Sequence, residues 1–350
     1  DSLSHPRLEF VCTVCEEVGM EGATGIDVSM LKGKKLLNMD SEEEGVMLAS
    51  CAGGCRADVK LPVERETVSG TKLTVSLSGL TGGHSGSEID KGRGNANTLM
   101  SRLLRDASAP VAIASIDGGR KDNAIPRECT AQIIVAPDEA AAVKASIEQA
   151  AAEIAEEFKA SDPDLKLAVS EETDCSESAI SAKDSARVIA LIEALPNGII
   201  RMSREIDKLV ETSLNLGVLK SDDAAVTLRY AVRSSVGVAK KSLKNQLVCI
   251  AGAFAAEVTF EGDYPAWEYK KDSKLREDMV RIFEEMYGKK PTVEAIHAGV
   301  ECGLLSGKIE GLDCISMGPD MYDIHTTEER LSISSAKRSY EYILRVIACK

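Results

Sequence analysis

The sequence predicts an α/β protein whose central sheet is flanked by helices and whose chain is interrupted by an inserted α+β domain. Three observations predict it. Near both ends of the chain, short apolar runs stop at acidic or glycine-rich stretches, as strands of an α/β sheet do. Between residues 57 and 258 the pattern becomes strand, helix, strand, strand, helix, and that order then partly recurs. The length, 350 residues, allows one large domain or two ordinary ones, each with its own core. The expected division is therefore 1–56 and 259–350 as two parts of one domain, with 57–258 inserted as a domain of two similar halves.

Each element has a local reason. Residues 8–15 form an apolar run that predicts a buried strand ending on Glu16 and Glu17. Residues 35–40 predict a second strand, again ending in an acid, Asp40. "TKLTVSLSGL" alternates like a half-exposed strand and leads into the glycine-rich "TGGHSG" turn. A helix is predicted from Asn95 to Arg105, then strands at "PVAIASIDGG" and "CTAQIIVAP". Pro137, Asp138 and Glu139 open a strong helix. The recurrence reads "LKLAVSEE" as a strand that begins the second half. A helix at "SAKDSARVIALIEAL" follows, then paired strands at "VETSLNLGVL" and "AAVTLRYAVRSS", another helix, and a strand at "EVTFEG". Beyond Tyr264, helices are predicted at 272–287, after Glu301 and at 332–348, with strands at "TVEAIHAG" and "DCISMGP".

Composition narrows the function. The net charge of −14, from 42 basic and 56 acidic residues, disfavours nucleic acid and anionic membranes as partners. No run approaches the ~18 apolar residues of a membrane-spanning helix. Ten scattered cysteines fit a reducing, cytoplasmic setting better than a disulfide scaffold. Cys12, Cys15, Cys51 and Cys55 have the spacing of a four-thiolate zinc site. On a strand, however, positions 12 and 15 point to opposite faces, which argues against it.

Only four histidines exist, His5, His84, His297 and His325. Ligands of open α/β sheets sit beyond the carboxyl ends of strands. Glu16, Glu17 and Asp40 fall there, and His325 follows the apolar run 313–319. Carboxylates and an imidazole at strand ends suit a divalent metal. A second, non-ligating carboxylate beside them would take a proton from activated water. Adjacent glutamates, Asp40 and a lone histidine are equally compatible with solvated loops, and "GGHSG" with a tight turn. The residues alone support an α/β enzyme that is metal-dependent, and no more.

The stretches "CEEVGMEGATG", "LLNMDSEEEG", "GGHSGSEIDKGRGNANTLMSRLL", "NAIPRE", "PNGIIR", "VETSLNLGV", "YPAW", "IHAGVECGL" and the final Gly-Pro, His and Glu occur in one order. In that order the chain resembles the aminoacyl-histidine dipeptidases, carnosine-hydrolysing members of the co-catalytic zinc peptidase superfamily. The resemblance spans essentially the whole chain. It implies a split zinc-peptidase domain with an inserted lid and dimerisation domain. It also implies two zinc ions in a complete site (manganese or cobalt being alternatives), a dipeptide substrate and a homodimer. By the same resemblance Glu16 is the general base, while Glu17, Asp40 and His325 are metal ligands. His84 steadies the oxyanion, often from a partner subunit in this superfamily. Asn123 and Arg233 hold the substrate carboxylate, and His297 lies on the substrate side.

The chain also departs from the family pattern. Cys15 stands where the family usually has Asp before the Glu pair. The family's His-x-Asp motif and bridging aspartate lie ahead of that pair. Here only fifteen residues precede Glu16, with His5 and Asp1 their sole His and Asp. The chain thus looks like a member without its N-terminal segment, an incomplete form expected to hold about one zinc at most. Two alternatives stand beside the dipeptidase. One is a catalytically silent peptide-binding or dimerisation fragment, and the other is a related aminoacylase or tripeptidase.

Overall fold

The computed structural model describes residues 4–16, 19–324 and 326–349. Helix α1 (Glu21–Gly25) precedes strands β1 (Lys35–Asn38), β2 (Val46–Cys51), β3 (Gly53–Pro62) and β4 (Arg65–Ser78). The short β5 (Gly83–His84), α2 (Ala96–Arg105), β6 (Ala112–Gly118), β7 (Ala124–Ile125), β8 (Cys129–Val135) and α3 (Ala140–Phe158) follow. Next come β9 (Lys166–Ile180), α4 (Ala182–Ala194), β10 (Gly198–Met202), β11 (Val210–Ser221), β12 (Ala225–Ser234) and α5 (Gly237–Ala253). The chain continues through β13 (Glu257–Tyr264), α6 (Lys274–Tyr287), β14 (Thr292–Ile296), α7 (Glu301–Lys308), β15 (Asp313–Ser316) and α8 (Ile333–Ala348).

These elements build two sheets. The smaller has the order β1-β15-β2-β14, with β1 parallel to β15 and β14 parallel to β2. The larger runs β13-β3-β12-β11-β6-β8-β4-β9, with β10 paired to β11. Alternation explains the larger sheet: Leu73, Val75 and Leu77 of β4 all point inward. They meet Leu99 and Leu103 of α2, Val143 and Ile147 of α3, and Val188 and Leu191 of α4 in one core. The smaller sheet has a separate core. There Met47 and Ile315 pack against Met279, Phe283 and Tyr342. The Phe283 and Tyr342 rings meet edge to face with centroids 5.4 Å apart. Side-chain caps fix four helix starts. Asn95 accepts from the N–H groups of Asn97 and Thr98, and Ser181, Ser273 and Ser332 do the same for α4, α6 and α8.

The fold class is borne out, but three sequence expectations need correction. Residues 8–15 are not a buried strand. Phe10 is 91% exposed, and the run has no ladder partner among the described residues. An apolar run becomes a strand only where another backbone pairs with it. Here the segment is held differently: the Glu9 carboxylate accepts the N–H groups of Lys32 and Gly33. The second correction concerns 166–180, which does not begin the second half. As β9 it pairs along β4 and closes the first half. The recurrence is therefore one of sheet order, β6-β8-β4-β9 on one side and β11-β12-β3-β13 on the other. The two halves join through Leu219↔Gly118 and Lys220↔Asp117.

Third, no strand was named from the sequence between Asp40 and residue 60, where the fold has β2 and β3. In the fold Gly53 admits another backbone and Gly54 the Tyr264 ring. A Cβ on Gly53 would lie 2.7 Å from the Tyr264 carbonyl oxygen and closer still to the backbone of Pro265 and Ala266.

Candidate functional site

The large sheet delivers a guanidinium to a cleft of about 300 Å³. Arg233, near the end of β12, stands opposite Ser213 of β11 and Gly54 of β3. It is only 9% exposed, its Nε has no hydrogen-bond partner, and no acidic residue among the described ones pairs with it. A buried cation left without a counter-charge is costly, so this arrangement is prepared for an anion from outside. Asn123 and Tyr264 line the same cleft.

Asn123 is held in place through its backbone. Asn215 Nδ2 donates to the carbonyls of Asp122 (2.9 Å) and Ala124 (2.8 Å), on either side of it. Asn95 Nδ2 in turn donates to Asn215 Oδ1 at 3.1 Å, so the α2 cap residue also steadies the cleft loop. The Asn123 carbonyl accepts from Ser85 N–H at 2.8 Å, and His84 registers with Ala124 in the β5–β7 pair. His84 and Asn123 are thus joined to the cleft within one chain.

The tautomer of His84 follows from its partners. Gly86 and Ser87 N–H groups both approach Nδ1 at 3.2 Å, so Nδ1 accepts and the neutral ring carries its proton on Nε2. Burial, and next the nearby Arg233 charge, hold its pKa below the usual histidine value, against a weaker opposing pull from Glu88. A neutral ring with a fixed Nε2–H is a hydrogen-bond donor that does not need to be protonated first.

His297 lies just past β14, 6% exposed, with Nε2 2.7 Å from Ser213 Oγ. Its Nδ1 lacks a partner of full hydrogen-bond geometry, although the Val210 carbonyl is near enough to favour a proton slightly. Its carbonyl oxygen would lie 2.6 Å from a Cβ on Gly86, so that position beside His84 has room only for glycine. Burial first, then Arg233, lowers its pKa to about 3. The sign of the pH effect follows. Between about 6.5, the ordinary histidine value, and 3, the unfolded chain binds this proton and the native one does not. Stability therefore falls as pH drops below about 6.5, by roughly 2 kcal/mol at pH 5. Melting temperature is expected to fall between pH 7 and 5, where carboxylates barely titrate, and to fall less in His297→Gln. Parallel curves for the two proteins would contradict this placement.

Of the other candidates, Asp40 and the segment bearing Glu16 lie near α7. Thr13 Oγ1 donates to Glu301 Oε1 at 2.6 Å, and Lys308 Nζ donates to the Ile26 carbonyl at 3.0 Å, so the segment bearing Glu16 lies along this helix. Glu16 itself occupies a tight turn. Its carbonyl accepts from Gly19 and Met20 N–H, and Cys15 and Met20 both adopt positive φ. Asp40 lies two residues past the end of β1, close enough to disfavour ionisation of Cys302 in the first turn of α7. Glu17 and His325 lie outside the described residues. Among the described residues no three His, Cys, Asp or Glu side chains converge as a metal group. The Cys12–Cys55 thiolate site is likewise absent: Cys12 and Cys15 are exposed, Cys51 and Cys55 are buried, and all four are free.

Tyr264, which lines the cleft, and Ser213 and Asn215, which support His297 and the Asn123 loop, were not singled out in the sequence. A signal was present for two of them. In "VETSLNLGV" the polar residues Glu211, Ser213 and Asn215 recur with period two in an otherwise apolar strand, which marks a polar face.

The comparisons with known proteins bear on family and fold. Residues 75–162 match the family model described as "Peptidase dimerisation domain". The cytosol non-specific dipeptidase of Escherichia coli K12 is 34% identical over 339 residues, covering 96% of this chain and 70% of that protein. The crystal structure of aminoacylhistidine dipeptidase from Vibrio alginolyticus superposes with a TM-score of 0.89 at 32% identity. That match covers 96% of this chain and 69% of the other. A mixed α/β fold whose sheet is flanked by helices, together with a peptidase dimerisation domain, defines the M20 class of metallopeptidases. Within that class the chain belongs to the dipeptidase family of these two relatives. The family resemblance drawn from the sequence is borne out, and membership brings a metal cofactor with it. No helix among the described residues is long and apolar enough to cross a membrane.

Proposed function

We propose that the chain carries the machinery for metal-dependent hydrolysis of dipeptides, with a preference for Xaa-His. The observation that carries this reading is Arg233, a buried guanidinium without a carboxylate partner, which lines a cleft of dipeptide scale and has two neutral histidines near its charge. Arg233 and Asn123 would bind the substrate's terminal carboxylate, and His297 would border the side chain. His84 Nε2–H would donate to the carbonyl oxygen as negative charge develops on it. Glu16 would take the proton from the attacking water and pass it to the leaving amine.

Glu17, Asp40 and His325 are the proposed metal ligands. Two carboxylates and one imidazole are donors that zinc accepts. When bound, the metal would supply Lewis acidity for activating water. A complete site would hold two zinc ions. We assign residues 57–258 to the inserted lid and the flanking segments to the catalytic domain. The dimerisation-domain match supports a homodimer, and the E. coli relative's description as a cytosol enzyme supports a cytoplasmic setting.

The test is release of histidine from Xaa-His dipeptides by zinc-supplied protein, compared with tripeptides and N-acyl amino acids, with and without chelator. Chelator-sensitive cleavage confined to dipeptides is expected of protein that holds a complete metal site. Cleavage that survives chelation, or a preference for the other substrates, would overturn the reading.

A further inference from the structure

We propose that Tyr264 is a positioning residue that aims the Arg233 guanidinium into the cleft and so sets selectivity for a free terminal carboxylate. The proposal rests on the carboxylate-binding role given to Arg233 above. Its basis is a transverse row in the large sheet. Tyr264 of β13 registers with Gly54 of β3, Gly54 with Arg233 of β12, and Arg233 with Ser213 of β11. Residues directly opposite each other point to the same face of a sheet. Strands lie about 4.8 Å apart, so Tyr264 and Arg233 are two strand spacings, or roughly 10 Å, apart at their backbones. Only a long side chain crossing a bare position can close that gap. Gly54 is the bare position. A Cβ there would sit 2.6 Å from the Tyr264 hydroxyl and 2.9 Å from Cζ.

A second glycine guards the ring. A Cβ on Gly299, in the loop between His297 and α7, would lie 2.7 Å from Tyr264 Cε2 and 3.0 Å from its hydroxyl. The phenol therefore occupies a slot built by two glycines from different segments. Its backbone is anchored as well. The buried Lys240 donates to the Tyr264 carbonyl and to Asp263 Oδ1, the latter at 2.6 Å. At the end of this slot the hydroxyl lies over Gly54, the neighbour of Arg233 in the row, and the Arg233 charge partly offsets the rise in its pKa that burial causes. Across Gly54, Arg233 faces a neutral phenol rather than a carboxylate, so the phenol can set the guanidinium's direction while its charge stays available. On the far side of Arg233 the row ends at Ser213, which holds His297. One line of four strands thus ties the guanidinium to the segment that bears His297.

The experiment measures dissociation constants of Gly-His and its C-terminal amide by calorimetry. It uses wild type, Tyr264→Phe and Tyr264→Ala, each checked for an unchanged melting profile. In wild type the free acid should bind ~10–100-fold more tightly than the amide, the range of a hydrogen bond to a charged group. Tyr264→Phe keeps the ring and loses the hydroxyl, and it should lose most of that ratio while amide binding stays unchanged. The [¹³Cζ]tyrosine resonance missing from Tyr264→Phe should shift in wild type with the free acid and not with the amide. A ratio preserved in Tyr264→Phe would overturn the proposal, even if Tyr264→Ala lost it, because the ring alone would then suffice. A wild-type ratio of one, including no binding of either ligand, would instead overturn the reading of Arg233.

Discussion

Glu16→Gln is expected to lower kcat for dipeptide hydrolysis by several powers of ten in catalytically competent protein, with metal content unchanged. Glutamine keeps the size and hydrogen-bonding reach of glutamate but cannot accept a proton. General-base transfer alone contributes about 10²–10⁴-fold, and its loss is larger where base and activated water act as a unit. The local structure suits the role. Glu16 occupies a turn between left-handed residues, and the segment before it is tied to α7 through Thr13 and Glu301. The substitution leaves that backbone turn intact, since its hydrogen bonds use the Glu16 carbonyl. Turnover and metal analysis on the same preparation separate the outcomes. Near-normal turnover would remove Glu16 from the chemistry, and loss of metal would make it a ligand.

The second large effect is expected at His84. His84→Ala should reduce kcat by ~10²–10³-fold, the usual cost of removing one oxyanion donor, with little change in metal content. The fixed Nε2–H makes a further prediction about pH. Burial and Arg233 hold His84 neutral, and the neutral ring is the proposed donor. Activity should therefore not require protonation of this residue near neutral pH. If His84→Ala lost metal instead, the residue would belong to the metal site and not to the oxyanion. Steady-state kinetics with metal analysis distinguishes the two.

How far the sequence carried depended on how local each signal was. α2, α3, α4 and α8 were legible because caps and helical periodicity are written within single segments, as at Asn95, Ser181 and Ser332. The class of fold followed from the switch of pattern near residue 57 and its return beyond Tyr264. Residues 8–15 misled because strand formation needs a partner, and no partner is encoded in the run itself. The strand at 166–180 misled because alternation says nothing about which neighbour a strand joins, and its pairing with β4 is a long-range fact.

The candidate site divides in the same way. His84, Asn123, Arg233 and His297 were named from motifs; Asn123 and Arg233 line the cleft, and both histidines lie near enough to Arg233 to feel its charge. What no motif stated was the support. Asn215 braces the Asn123 loop, Ser213 holds His297, and the Tyr264–Gly54–Arg233 row is visible only once strand register is known. Of the proposed metal ligands, Asp40 is placed past the end of β1, while Glu17 and His325 lie outside the described residues.

The central claim is that this cleft receives a dipeptide with its carboxylate on Arg233 and its scissile carbonyl under His84. The most direct measurement is a crystal structure of the protein with a phosphinic analogue of Gly-His, in which a tetrahedral phosphorus replaces the scissile carbonyl carbon. The account predicts the analogue's carboxylate on Arg233 and Asn123, with a phosphinate oxygen within hydrogen-bond reach of His84 Nε2. An analogue bound with its carboxylate elsewhere, and Arg233 left without an anion, would contradict it.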